Sequence, residues 1–166
     1  MTNPFKDGPS AQDAGAHGHP WKISDVVLFP LLGLGLVLEW VWPTTLPLWR
    51  VTGGVLGVGL FLFGFWLIHR AKTELDKADQ PSLPGAATTR LVTTGPFAWS
   101  RNPNYLGAAL AGIGGALALE SWWLIATTLL ACAILEVWMI RPEERYLAER
   151  FAEEYQDYRR RTRRWL

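Results

Sequence analysis

The 36 residues from Tyr105 to Ile140, YLGAALAGIGGALALESWWLIATTLLACAILEVWMI, decide the fold. Their only charges are Glu120 and Glu136. About 20 apolar residues cross a bilayer as a helix, so this run is too long for one crossing and suits two, 105–119 and 122–140. Glu120, Ser121 and the paired Trp122 and Trp123 mark a turn at a membrane interface, where Trp is enriched. Upstream, Asp25–Trp42 (DVVLFPLLGLGLVLEWVW) and Leu48–Ile68 (LWRVTGGVLGVGLFLFGFWLI) read as two more apolar helices, about 25–42 and 48–68. A helix buried in a soluble bundle normally keeps a polar face, and these have none. The expected class is all-α, a polytopic membrane protein with about four transmembrane helices.

Composition alone hides this. The chain has 166 residues, net charge +1 and one cysteine, Cys132, in an apolar run. Near-neutral charge argues against a nucleic-acid partner, and one cysteine excludes a disulfide framework or a cysteine-rich metal site. The distribution of charge is more telling. The turns Pro43–Pro47 and at Glu120 fall on one side of the membrane, and the N-terminus, the loop from His69 to Asn104 and the C-terminal tail fall on the other. That second side holds 15 of the 16 Lys and Arg residues, all but Arg50. By the positive-inside rule it is cytoplasmic, with both termini there and the cell (inner) membrane as the expected location. No small-residue cleavage motif follows the first apolar block, so no cleavable signal peptide is expected.

Residues 1–24, rich in Gly, Pro and small polar types, are expected to be disordered, and 25–166 to form one domain. His17 and His19 in that tail lack further ligands nearby, so no metal site is expected. Gly53, Gly57 and Gly64, with Gly54 and Gly59, offer the second helix a flat packing face. Gly107, Ala111 and Gly115 do the same for the third.

Chemistry is expected on the cytoplasmic side, in segments 88–105 and 141–166. In TTRLVTTGPFAWSRNPNYLG, Gly95-Pro96 and Asn102-Pro103 are turn signals, and between and beside them lie Phe97, Trp99, Arg101 and Tyr105. The bland reading is an interfacial aromatic belt with a snorkelling Arg. In the tail, RPEERYLAERFAEEYQDYRRRTRRWL, Leu147, Phe151, Tyr155 and Tyr158 recur at helical spacing. This gives a cytoplasmic amphipathic helix that continues the fourth helix or bends away near Pro142. Counting back along it puts Glu143 and Glu136 on the packed face and turns Glu144 toward solvent. An ionisable group in a membrane segment is a functional candidate, and Glu136 also has Arg neighbours with which to pair. Arg159, Arg160, Arg161, Arg163 and Arg164 read as a topogenic signal and a contact for anionic lipids.

With both segments quoted, the chain resembles the isoprenylcysteine carboxyl methyltransferase family, whose wider group includes phospholipid methyltransferases. LVTTGPFAWSRNPNYLG is similar to the family's LVxxGPYxxxRHPxYxG pattern. The tail is similar to its EExxLxxxFGxxYxxYxxxxxRW pattern, with a helical hairpin between the two. The resemblance covers about half the chain, from Thr88 to the C-terminus. It implies methyl transfer from S-adenosylmethionine to a lipophilic acceptor, such as an isoprenylcysteine carboxylate, a lipid or a hydrophobic thiol, with membrane lipids as surroundings. Matching positions imply cofactor binding by Leu91, Val92, Phe97, Asn102, Pro103, Tyr105 and Glu143. Arg101 and Asn102 are the candidates nearest to a catalytic role, and no general base is assigned. Asn102 stands where many relatives carry His. Met139 stands where eukaryotic members carry a basic residue implicated in acceptor binding, with Arg141 as the candidate replacement. Methyl transfer from a sulfonium is an in-line displacement that needs alignment and desolvation more than a strong base. Aromatic faces and a partly buried carboxylate are suitable partners for the cofactor's cations. A non-catalytic membrane scaffold and a sterol-reductase-like membrane oxidoreductase remain as alternatives, distinguished by which cofactor binds.

Overall fold

A computed structural model describes residues 24–47, 50–80 and 88–166. The expectations for residues 1–23, including His17 and His19, lie outside the described residues. All four apolar segments form helices: α1 Ser24–Val41, α2 Arg50–Lys77, α3 Pro103–Ala118 and α4 Trp122–Leu135. Helix α4 runs on through a π-helical turn, Glu136–Ile140, into α5, Arg141–Arg161. Among the described residues there is no β-strand. Three helices are long and apolar enough to cross a membrane: α1, α2 and Trp122–Arg161, which runs through the π turn and is kinked at Ala152. The apolar part of the last ends at Ile140, and the charged α5 lies beyond it. Helix α3 has 16 residues and is about 24 Å long, shorter than a full crossing. Large apolar side chains face outward along the helices, Val55 at 68% and Trp138 at 64% exposed, an arrangement suited to lipid and costly in water.

The helices pack as α2 on α3, α3 on α4, and α4 on α1. In hydrocarbon, apolar side chains gain little by leaving the solvent, so association relies on close backbone approach at small residues. A side chain on Gly57 would collide with the backbone of Gly114 and Ala118, and one on Gly64 with the backbone of Gly107 and Ala111. The α3 partner is Gly114, not the expected Gly115, which has only a ring carbon of Phe61 in ordinary contact. The reason is helical phase. Seven residues return to within about 20° of the same face, whereas eight overshoot by about 80°. Gly54 and Gly59 border open space and take no part in the seam.

Two further differences from expectation have local causes. The expected loop after Ile68 is helical to Lys77, because Arg70-Ala-Lys-Thr-Glu-Leu-Asp-Lys is rich in helix formers and Lys77 pairs with Glu74 at 3.3 Å. The chain does not bend away at Pro142. That ring has no N–H to offer the Trp138 carbonyl, and the π turn immediately before it reshapes the hydrogen-bond ladder so that the helix continues. The two turns at the far end are bound to each other. Glu39 accepts from Thr44 N (2.5 Å), Thr44 Oγ1 (2.8 Å) and Ser121 Oγ, and Trp123 Nε1 donates to the Trp42 carbonyl (2.9 Å).

Within α5, Ala152 has φ 40° and ψ −112°, a conformation that costs an L-residue energy and that glycine adopts freely. The family pattern has Gly at this position. Ala152→Gly is therefore expected to stabilise the detergent-solubilised protein by about 1 kcal/mol, read as a rise in thermal midpoint. Gly64→Leu should destabilise it by about 3 kcal/mol or more while Gly59→Leu is tolerated. Equal behaviour of the two in thermal unfolding and size exclusion would refute the seam.

Candidate functional site

The end of the bundle away from the Glu39 cluster carries the site. After α2, Gln80 Oε1 accepts the backbone N–H groups of Thr89 (2.8 Å) and Arg90 (3.0 Å). This brings Leu91 and Val92 back against α5, where Leu91 packs with Tyr155, Tyr158, Leu147 and Phe151. A 3-10 turn, Gly95–Ala98, follows. Gly95 sits at φ +59°, and a side chain there would crowd the Glu74 carboxyl, which accepts from Thr94 Oγ1 at 2.6 Å. The Tyr158 hydroxyl donates to the Phe97 carbonyl at 2.6 Å, fixing the turn to α5. Pro103 then opens α3, with no N–H to leave unpaired.

These segments surround a cavity of about 590 Å³. Leu91, Val92, Phe97, Asn102, Pro103, Tyr105 and Glu143, the seven residues expected to bind cofactor, all line it, together with Arg101. Arg141 does not. It lies on the outer surface, its Nε 3.3 Å from Glu136 Oε1, so it is not placed with the others. Met139 is buried against Tyr105, Leu135 and Ile140. The cavity continues from this polar end down between α1, α2 and α3, past Phe65, Phe61 and Gly115 to Leu119 and Leu124. It exists because α1 packs on α4 and α2 on α3, leaving a trough between α1 and α2 with α3 as its floor.

Charge separates two adjacent carboxylates. Glu144, expected in solvent, is 9% exposed. Arg101 reaches its Oε1 through Nε (3.1 Å) and Nη2 (2.9 Å), and Arg164 reaches its Oε2 through Nη2 (2.6 Å). Arg164 also holds Glu136 through Nη1 at 2.5 Å. Helical counting could not foresee this, because the chain after Arg161 leaves the helix and runs back over residues 98–102. Arg101 N donates to the Arg163 carbonyl (2.9 Å), and Ser100 Oγ and Asn102 Nδ2 donate to that of Arg164 (3.0 and 3.3 Å). Arg101 is thus spent on Glu144 and on the Thr162 carbonyl (3.0 Å), and it braces the turn. Burial opposes ionisation of Glu144, but the Arg164 and Arg101 guanidiniums outweigh it and hold its carboxyl below the usual range.

Glu143 has no such partner among the described residues. It accepts only a long hydrogen bond from the Tyr105 hydroxyl, 3.4 Å. Burial, with the neighbouring Glu144 charge adding to it, pushes its carboxyl up to about 7. Its residual exposure is to the cavity. Gln80, Glu144 and Arg164 are the site-forming residues that sequence reading missed. The hydrogen-bonding role of Gln80 had no signal, and Arg164 was one of five tail arginines alike in sequence. Among the described residues no three His, Cys, Asp or Glu side chains converge as metal ligands.

Fold and site together define a helical membrane protein with a cavity that joins a charged end to an apolar trough. The chain belongs to the phospholipid methyltransferase family, whose profile matches residues 52–154. It is similar to the cobalt-zinc-cadmium resistance protein CzcN of Cupriavidus metallidurans, 33% identical over 74% of this chain and 49% of that protein. It is also similar to the nickel-cobalt-cadmium resistance protein NccN of Alcaligenes xylosoxydans, 38% identical over 48% of this chain and 37% of that one. A third relative is the protein-S-isoprenylcysteine O-methyltransferase of Saccharomyces cerevisiae, 37% identical over 42% of this chain and 29% of that one. The chain spans about half or less of the length of these relatives. No solved structure matches it.

A carboxyl raised to about 7 binds its proton in the folded state and releases it near 4.5 when unfolded. The stabilisation from its neutral form is present below about pH 4.5 and lost as pH rises to about 7. The thermal midpoint of the ligand-free protein, taken as the difference from Glu143→Gln, is expected to fall across that window and to be flat above it.

Proposed function

We propose that this protein transfers a methyl group from S-adenosylmethionine to a lipophilic acceptor at the cytoplasmic face of the membrane. The observation that carries the reading is Glu143, a carboxylate without a cation partner among the described residues, at the junction of the polar and apolar parts of one cavity. An ammonium or sulfonium there would satisfy it, and the aromatic faces of Phe97 and Tyr105 beside it suit a cation. Two buried polar atoms of cavity-lining residues, Asn104 Oδ1 and the Tyr155 hydroxyl, also lack partners among the described residues. The site therefore fits a zwitterionic, cationic cofactor.

When bound, the cofactor supplies an electrophilic methyl group, which a lone pair of the acceptor takes as the carbon–sulfur pair returns to sulfur. The protein's part is alignment and exclusion of water. Glu143 and Tyr105 fix the charged end. Leu91, Val92 and the buried Asn102-Pro103 turn shape the pocket around it. The trough between α1 and α2 gives an acceptor chain access from the side, through lipid. No side chain is assigned as a general base. Family membership, the yeast relative's printed activity and the basic side set by the tail arginines all support this reading. The acceptor class spans prenylated carboxylates, lipid headgroups and hydrophobic thiols.

Titration calorimetry in detergent or nanodiscs is expected to show S-adenosylmethionine binding that Glu143→Ala weakens by about 10²–10³-fold, the loss typical when one partner of a buried charge pair is removed. Affinity in the wild type should fall about tenfold per pH unit below about 7, as the proton competes with the cation. Binding of a nicotinamide cofactor, or of neither, would overturn the proposal. Labelled cofactor incubated with total lipid extract, followed by mass spectrometry, identifies the acceptor.

A further inference from the structure

Five arginines crowd the last eight residues, and four of them fit the expected role of fixing topology and meeting anionic lipid. Arg164 does not. Its side chain is turned inward to Glu144 and Glu136, and the segment carrying it forms a parallel bridge to Ser100. The adjacent Trp165 packs on Tyr105, Leu135, Met139 and Ile140, beneath the site. The tail is thereby anchored on both sides of Arg164.

We propose that Arg164 is a positioning residue for the cation-binding carboxylate: it neutralises Glu136 and Glu144 and its carbonyl holds Ser100 and Asn102 of the turn before α3, so that Glu143 is the member of this acidic cluster left without a guanidinium among the described residues. The inference rests on the proposed cofactor reading. Its logic is a balance of nearby charges. Inside the site, the two negative charges of Glu136 and Glu144 are met by Arg101 and Arg164; Arg141 also reaches Glu136, at 3.3 Å, but from the exposed outer surface, where water screens it. Both of these carboxylates share Arg164, whereas Glu143, next in sequence to Glu144, shares none. Without Arg164, Arg101 would be divided between neighbouring carboxylates. A cationic ligand would meet two competing acids, and Glu143 would hold its proton more tightly.

Tyr105 from α3 and Glu144 and Tyr155 from α5 act on Glu143 directly; Asp25 from α1, Lys72 from α2, and Arg90 and Arg101 from the segment before α3 line the same cavity, and Glu136 and Arg164 stand behind Glu144. Arg101 keeps its Thr162 and Arg159 carbonyl contacts whether or not Arg164 is charged, so the predicted change is electrostatic and not a loss of the fold.

The test is S-adenosylmethionine binding by the detergent-solubilised protein, followed by calorimetry from pH 5.5 to 8.5. Arg164→Gln should weaken binding about tenfold or more at pH 7 and move the pH midpoint of binding upward. Arg164→Lys, which keeps the charge, should recover most of the affinity. The double variant Glu136→Gln/Arg164→Gln, which restores the balance, should return the midpoint toward wild type even if Arg164→Gln alone is too unstable to purify. Unchanged affinity and midpoint in Arg164→Gln would overturn the inference, as would equal losses in the Gln and Lys variants or no recovery in the double variant. Absence of binding by the wild type would instead overturn the cofactor reading.

Discussion

Glu144, held between Arg101 and Arg164, ties together the parts of the chain that form the site. The two guanidiniums come from residues 63 apart in sequence, one in the turn before α3 and one in the last strand-like segment. A buried ion pair of this kind gains little net stability over a hydrophobic substitute, because both ions must give up water. What it gains here is geometry. Two guanidiniums from distant parts of the chain converge on one carboxylate, so the turn, α5 and the tail hold one arrangement. The adjacent Glu143 inherits that fixed position with no counter-ion among the described residues.

The membrane half depends on a different constraint, the approach of α2 to α3 at Gly57, Gly64, Gly107 and Gly114. Bringing those backbones together draws α2 toward α3, while α1 is claimed by α4, where Gly35 meets Thr127 and Leu124. The trough between α1 and α2 is what remains. Close packing at two seams and open space between them are thus one arrangement.

The sequence made the four apolar segments, both turns and the seven cavity residues legible, because each is written in a local signal: run length, turn dipeptides, or a motif across a hairpin. The features it hid depend on chain separation. Glu144 lies one position from Glu143, and a helical wheel turns it outward; only the returning tail brings two guanidiniums to it. Counting by four from Gly107 leads to Gly115, and the phase of α3 against α2 puts Gly114 in the seam instead. Helix α2 outlasted its apolar run because helix propensity does not stop where hydrophobicity does. Arg141, the candidate replacement for the basic residue whose place Met139 takes, lies on the outer surface, where it pairs with Glu136.

The unbroken passage from α4 through the π turn into α5 fixes a depth. Glu143 follows Trp122 by 21 residues, about 32 Å at the rise of an α-helix, against a hydrocarbon thickness of about 30 Å. With Trp122 at one boundary of the bilayer and the helix near its normal, the carboxylate falls at the opposite boundary, among the headgroups. An amphiphile in that leaflet would bring its polar end level with Glu143 while its chain stayed in oil. On the proposed function, the reacting atoms would meet where the medium changes from water to hydrocarbon, and an acceptor would never have to be extracted from its leaflet.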